Sequence, residues 1–201
     1  MKLHWSPKSP FVRKVLVCAH ELGCVEAITL ERSVAAMRVP NERLMQDNPL
    51  SKIPTLVLEH GGRLFDSRVI CEYLDDRFDG QLFPRAPGLR WDALRWQAFG
   101  DGALDLLVLW RNERERDVPS DPLCDAFVLK TNAVIAQLER EAPALAGAPF
   151  AVGHIAIGCA LGYLDYRFAA REWRASAPAL ADWFADVSAR PSFAATVPAD
   201  G

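Results

Sequence analysis

Neither charge dominates this chain: 23 basic and 26 acidic side chains are interspersed over 201 residues, for a formal net charge of −3. No Lys/Arg-rich run interrupts the mixing, which argues against a nucleic-acid-binding face. No basic and then apolar segment opens the sequence, whose first residues lead into a strand-like stretch rather than a signal peptide. There is no C-x-x-C pair. The five cysteines (Cys18, Cys24, Cys71, Cys124, Cys159) are scattered and odd in number, so reduced thiols and a cytoplasmic location are expected. The four histidines form no ligand set. His20 and Cys24 have i,i+4 spacing but straddle a helix end at Gly23, and His4, His60 and His154 lie elsewhere, so no metal is expected. Long apolar runs are missing too. The charge-free stretch from Ala142 to Leu164 contains Pro143, Gly147, Pro149 and Gly153, and becomes continuously apolar only from Ile155. That suits a buried helix and not a membrane span.

What is present is the composition of a globular protein, 50% hydrophobic and 24% charged, with length for one large domain or two small ones. Its most informative stretch lies near the start. Lys2 to Trp5 reads as a strand. Ser9 is a favoured N-cap and Pro10 suits the first helical turn, where its missing N–H costs nothing. Phe11, Val12, Val15, Leu16, Ala19 and Leu22 then recur with helical spacing up to Gly23. The start of that helix gathers free backbone N–H groups, the positive end of the macrodipole and a hydroxyl. It suits an anion: a carboxylate, a phosphate or a thiolate.

Val25 to Leu30 reads as a second strand, and Arg32 to Gln46 as a short or irregular helix broken by Pro40. Asn48-Pro49-Leu50-Ser51-Lys52-Ile53-Pro54 leads into an apolar strand, Thr55 to Leu58. Gly61-Gly62 turns the chain into Arg63 to Phe65, an antiparallel hairpin. Asp66-Ser67 caps a helix from Arg68 to Phe78. Gly80 to Gly88 reads as a linker. Beyond it only helices are expected: Leu89 to Arg116, softened by Gly100 and Gly102; Asp121 to Glu141, ended by Pro143; Ile155 to Arg171, apolar all round at first; and Pro178 to Arg190.

The β-α-β-α-β-β-α order, with Ser9-Pro10-Phe11-Val12-Arg13, Lys52-Ile53-Pro54 and Asp66-Ser67 at these separations, resembles the cytosolic glutathione S-transferases. The resemblance is nearest to serine/cysteine-type, bacterial members. It implies a thioredoxin-like α/β domain over residues 1–79, a linker over 80–88 and an all-α helical bundle over 89–201. It further implies that the Ile53–Pro54 bond is cis, turning the Ile53 backbone outward to pair with the cysteinyl part of glutathione. Ser67 and the free N–H groups behind it would take the γ-glutamyl carboxylate, Asp66 the ammonium, and Lys52 the glycyl carboxylate.

Ser9 would donate a hydrogen bond that favours the glutathione thiolate, with Ser6, in the loop upstream, as the competing hydroxyl. A serine where the glutaredoxin-like motif has its first cysteine argues against dithiol chemistry. The implied activity is glutathione transfer to a small hydrophobic electrophile, as in detoxification, with glutathione as co-substrate. The alternative is a non-catalytic glutathione-binding or protein-interaction module of the same fold. The electrophile would meet a cleft between the domains, with Asp105, Val108, Trp110 and Arg111 as candidate contacts. The family also implies a homodimer, to which Arg68, Tyr73, Arg77, Arg90 and Trp91 would contribute. One departure stands out. Where the family starts its central helix with Ser or Thr followed three residues later by Asp, this chain has Ala151 and His154, a loss of roughly 1 kcal/mol of capping unless another group substitutes.

Overall fold

A computed structural model describes residues 1–200 and divides the chain into two compact units. The first comprises residues 1–90 together with the segment from Pro191 on; the second is Trp91–Arg190.

The first unit is a four-stranded mixed sheet with helices. Its strands are β1 (Lys2–Trp5), β2 (Thr29–Arg32), β3 (Thr55–Val57) and β4 (Arg63–Leu64), in the order β2-β1-β3-β4. Strand β1 runs parallel to β2 and antiparallel to β3, and β3 runs antiparallel to β4. Alternation along β1 explains the layering. Leu3 pairs with Leu56 in the register and both are fully buried. His4 points to the other face, where its Nε2–H donates to Asp47 at 2.9 Å and its Nδ1 meets the Ser33 hydroxyl at 2.8 Å. Helix α1 (Pro10–Glu21) packs against α3 (Ser67–Arg77), and α2 (Glu42–Met45) just precedes Asp47 on the opposite face. The arrangement is thioredoxin-like.

Local chemistry accounts for most boundaries. Ser9 caps α1 with Pro10 at its first position, and Gly23 ends the run at φ +64°. Asp66 caps α3, its Oδ1 accepting from Arg68 N–H at 2.9 Å. The second strand differs from expectation. Val25–Ala27 is a 3-10 turn, and the strand starts at Thr29, where β1 offers a partner. Of Arg32 to Gln46 only Glu42–Met45 is helical, capped by Asn41, whose Oδ1 accepts from Leu44 N–H at 3.1 Å. Leu82 and Phe83, in the expected linker, are buried, and both backbone N–H groups donate to the Asp75 carboxylate. The closing segment belongs with this unit. Phe193 in α8 (Pro191–Ala194) lies beneath Arg13 of α1, whose guanidinium donates to the Phe193 carbonyl at 3.3 Å. Its place in the first unit differs from the all-α bundle over residues 89–201 that the resemblance implies, because α8 finds its partner in α1.

The second unit is entirely helical among the described residues. It holds α5 (Asp121–Gly147), α6 (Val152–Phe168), α7 (Pro178–Ser188) and most of α4 (Pro87–Arg114). Helix α4 begins at Pro87, two residues before the expected start. Gly100 does not soften it but admits α6: a Cβ there would come within 2.5 Å of the Ala156 backbone. Pro143 does not end α5 either. It costs a single bond to the residue four back, while Ala142 and Leu145 anchor the last turn in the core. Helix α6 is buried on nearly every side, as its all-round apolar pattern predicts.

No described helix is long and apolar enough to cross a membrane. The described residues contain no group of three or more His, Cys, Asp or Glu arranged to hold a metal ion.

Candidate glutathione site

Strand register brings the three motifs to one edge of the sheet. Because His4 pairs with Thr55, the start of β3 lies beside the carboxyl end of β1, from which the chain runs into α1. Strand β4 returns antiparallel to β3, so Leu64 ends at that same edge and hands the chain to α3. The N-termini of α1 and α3 and the Ile53–Pro54 segment therefore share an edge.

Ser9 is half-buried, and its Oγ accepts from Val12 N–H at 3.3 Å. That bond occupies a lone pair and leaves the hydroxyl proton to donate elsewhere. Ser6, also half-buried, accepts from Lys8 N–H at 3.4 Å. Ser9 alone stands at the helix start; Ser6 precedes it by a turn in which Ser9 N–H donates to the Ser6 carbonyl at 3.2 Å. The Ile53–Pro54 bond is cis, as the resemblance implies, and Pro54 is buried while Ile53 is half-exposed. The Lys52 side chain is exposed. Asp66 is exposed and Ser67 is 2% exposed at the first turn of α3.

The turn leading to Ile53 holds a group that motif reading passed over. Asn48 is 1% exposed, and its side-chain amide donates to the Lys52 carbonyl at 3.1 Å and to Thr55 Oγ1 at 2.9 Å. Asparagine before proline signals only a turn, so nothing in the sequence separates this buried hub from a solvated one.

The electrostatics of this unit centre on Asp47. The hydrogen bond from His4, reinforced by Lys2 at 3.2 Å and Arg63 at 3.1 Å, holds its carboxyl at about 2. The cluster ties β1 and β4 to the segment after α2.

The glutathione S-transferase N-terminal domain model matches residues 8–77, and the C-terminal domain model matches 125–186. A glutathione transferase family member from Pseudomonas fluorescens Pf-5 with bound glutathione superposes with a TM-score of 0.94 at 41% identity, covering 99% of each chain. A second structure of a glutathione transferase family member from Pseudomonas fluorescens Pf-5, with bound S-(propanoic acid)-glutathione, gives a TM-score of 0.90 at 39% identity over the whole of both chains. The uncharacterized GST-like protein YibF of Escherichia coli K12 is 31% identical over 98% of both chains. The chain belongs to the glutathione S-transferase family.

Other residues singled out as transferase contacts are placed unevenly. Asp105 is exposed on α4, while Val108 and Arg111 are half-buried. Trp110 is 4% exposed and stacks on Phe168 at 4.3 Å between ring centroids, with Phe127 at 6.4 Å, so it is a core residue of the helical unit. Of the residues expected at a dimer face, Arg68 and Arg77 are exposed on α3, and Trp91 on α4 is 69% exposed. Tyr73 and Arg90 are half-buried, the latter paired with Glu72 at 2.9 Å.

Proposed function

We propose that the chain binds glutathione at the sheet edge where α1, β3 and α3 begin, and joins it through its sulfur to a small hydrophobic electrophile. The observation that carries this reading is the shared edge set by the His4–Thr55 and Leu56–Leu64 register, with a capped helix start on either side of a cis Ile53–Pro54. In this reading Ser67 and the first-turn N–H groups of α3 receive the γ-glutamyl carboxylate, and Asp66 its ammonium. The Ile53 backbone pairs with the cysteinyl residue, and Lys52 reaches the glycyl carboxylate. The Ser9 hydroxyl donates to the sulfur and favours its thiolate, the proton passing to solvent. The thiolate lone pair then forms an S–C bond as the leaving group departs with the electrons of the bond that breaks.

The ligands of the Pseudomonas fluorescens structures support this reading, one being glutathione and the other a glutathione substituted on sulfur. Asp105, Val108 and Arg111 remain the candidates for choosing the electrophile. A homodimer using Arg68, Tyr73, Arg77, Arg90 and Trp91, and a detoxifying role in the cytoplasm, complete the proposal.

The test is retention on immobilised glutathione followed by a conjugation assay with a panel of alkyl and aryl halides. Retention with turnover supports the transferase. Retention without turnover on any halide favours a non-catalytic glutathione-binding module, and a chain that is not retained at all overturns the reading.

A further inference from the structure

We propose that Asn48 and Thr55 are positioning residues that aim the Ile53 N–H at glutathione. The inference rests on the glutathione reading above but concerns atoms that reading does not use. Asn48 follows α2, where its backbone N–H donates to the Leu44 carbonyl at 2.8 Å. Its Oδ1 accepts from Leu50 N–H at 3.1 Å, and its own carbonyl accepts from Ser51 N–H at 2.9 Å. The amide nitrogen then donates to the Lys52 carbonyl at 3.1 Å, and Thr55 Oγ1 donates to the same carbonyl at 2.9 Å. Both side chains are buried, Asn48 at 1% exposed and Thr55 at 0%, and Thr55 is held by its pairing with His4. The Lys52 carbonyl is thus drawn inward by two donors set in the core.

The direction of the next donor follows from peptide geometry. The cis bonds of this region are Ile53–Pro54 and Phe65–Asp66, so the Lys52–Ile53 peptide is trans. In a trans peptide the N–H points opposite to the carbonyl of the same plane. With the Lys52 oxygen turned toward Asn48 and Thr55, the Ile53 N–H turns away from them, toward the half-exposed side of the segment. Among the described residues it takes no part in the hydrogen bonds of the turn. Without the two donors the peptide plane is free to rotate, and the ordering it then needs is subtracted from glutathione binding.

Calorimetric titration of glutathione into Thr55→Val, Thr55→Ser and Asn48→Asp tests this. Thr55→Val removes one donor at nearly constant volume, and should weaken glutathione binding by about 5- to 10-fold. Thr55→Ser restores the hydroxyl and should recover most of that loss. Asn48→Asp sets a carboxylate against the Lys52 carbonyl and should weaken binding by at least ~10-fold, with the loss in KM for glutathione and not in KM for the electrophile. A merely structural role lowers the unfolding midpoint and leaves the dissociation constant of the folded protein where it was. If Asn48→Asp does not fold, the Thr55 pair still decides. Thr55→Val binding glutathione as tightly as the unaltered chain overturns the positioning role alone. An unaltered chain that binds no glutathione overturns the reading beneath it.

Discussion

Helices α1 and α6 each begin at a polar device, but the two devices are committed differently. At α1 the cap is Ser9, half-buried, accepting one bond from Val12 and keeping a proton to give. At α6 the capping position is Ala151, which has no side-chain oxygen, and His154 three residues on takes over. Its Nδ1 accepts from Ala151 N–H at 3.1 Å, so the proton lies on Nε2, which donates to the Leu145 carbonyl at 3.0 Å. The ring is 2% exposed, edge-on to Trp96 at 5.4 Å and close to Phe150. Burial, with the nearby Arg190 charge adding to it, pushes its pKa below the ordinary imidazole value. Both devices sit at helix starts, so position alone does not separate a binding cap from a structural one. What separates them is whether hydrogen-bonding capacity is left over.

The largest expected effect breaks the α6 side of that comparison. His154→Ala leaves the Ala151 N–H and the Leu145 carbonyl without partners in the core and removes a ring from between Trp96 and Phe150. Each orphaned buried group costs on the order of 1–3 kcal/mol, so a total of about 3 kcal/mol is expected in urea unfolding at unchanged slope. Glutathione binding should not move. His154→Asp, which restores an acceptor for Ala151 but not the bond to Leu145, should lie between. A loss below ~1 kcal/mol for His154→Ala would mean that water or a neighbour replaces the ring, and the comparison would fail.

Acid should weaken the molecule in two separate windows. A histidine whose folded pKa is depressed binds its proton more readily when unfolded, so stability falls as pH drops through the ordinary imidazole value of ~6.5. That first window belongs to His154 and should vanish in His154→Asp. Asp47 and Glu141 are held at about 2, the first by His4 with Lys2 and Arg63, the second by Arg95 with Gln137 and Trp96. For depressed carboxylates stability is present above the unfolded pKa of ~4 and is lost as pH falls through the folded value. Their window therefore opens lower, between about pH 4 and pH 2. Unfolding free energy measured against pH in both variants checks the assignment. A first window that persists in His154→Asp would place it on another group.

The sheet end proposed to bind glutathione is legible in the sequence because each part lies on a helix start or a strand start with its own local signal. Ser9-Pro10, Ile53-Pro54 and Asp66-Ser67 each carry one, and the hairpin at Gly61-Gly62 brings the last two to the same edge. The elements that depart from the sequence expectation have no such local cause. Thr29 becomes strand because β1 lies beside it, and Pro143 stays helical because Ala142 and Leu145 are anchored in the core. The parts played by Asn48 and by the His154 ring are hidden for the same reason. Their importance is set by burial and by partners four to nine residues away, and neither residue type announces that. Trp110 shows the limit of spacing alone, since a tryptophan at helical spacing is consistent with a pocket and with a core, and packing against Phe168 decides for the core.

The smallest effect sharpens the α1 side. A free thiol has a pKa of about 8.5, so only about 3% is ionised at pH 7. A charge-assisted hydrogen bond from Ser9, worth roughly 1.5–3 kcal/mol, lowers that pKa by about one to two units. A two-unit drop raises the thiolate population about 25-fold. The more acidic thiolate is the poorer nucleophile, and a Brønsted slope near 0.4–0.5 takes back roughly 6- to 10-fold. Ionisation alone nets a few-fold, and the rest of any acceleration comes from holding sulfur and electrophile together. Ser9→Ala should therefore raise the bound thiol's pKa by about one to two units and lower the rate at pH 7 only a few-fold, with glutathione affinity kept within a few-fold. Ser67→Ala should do the opposite, weakening affinity and leaving the thiol pKa in place. Ultraviolet titration of the bound thiolate beside equilibrium binding separates the two. If the pKa is unmoved in Ser9→Ala and rises in Ser6→Ala, the donor is Ser6, and the spare proton at the start of α1 has another use.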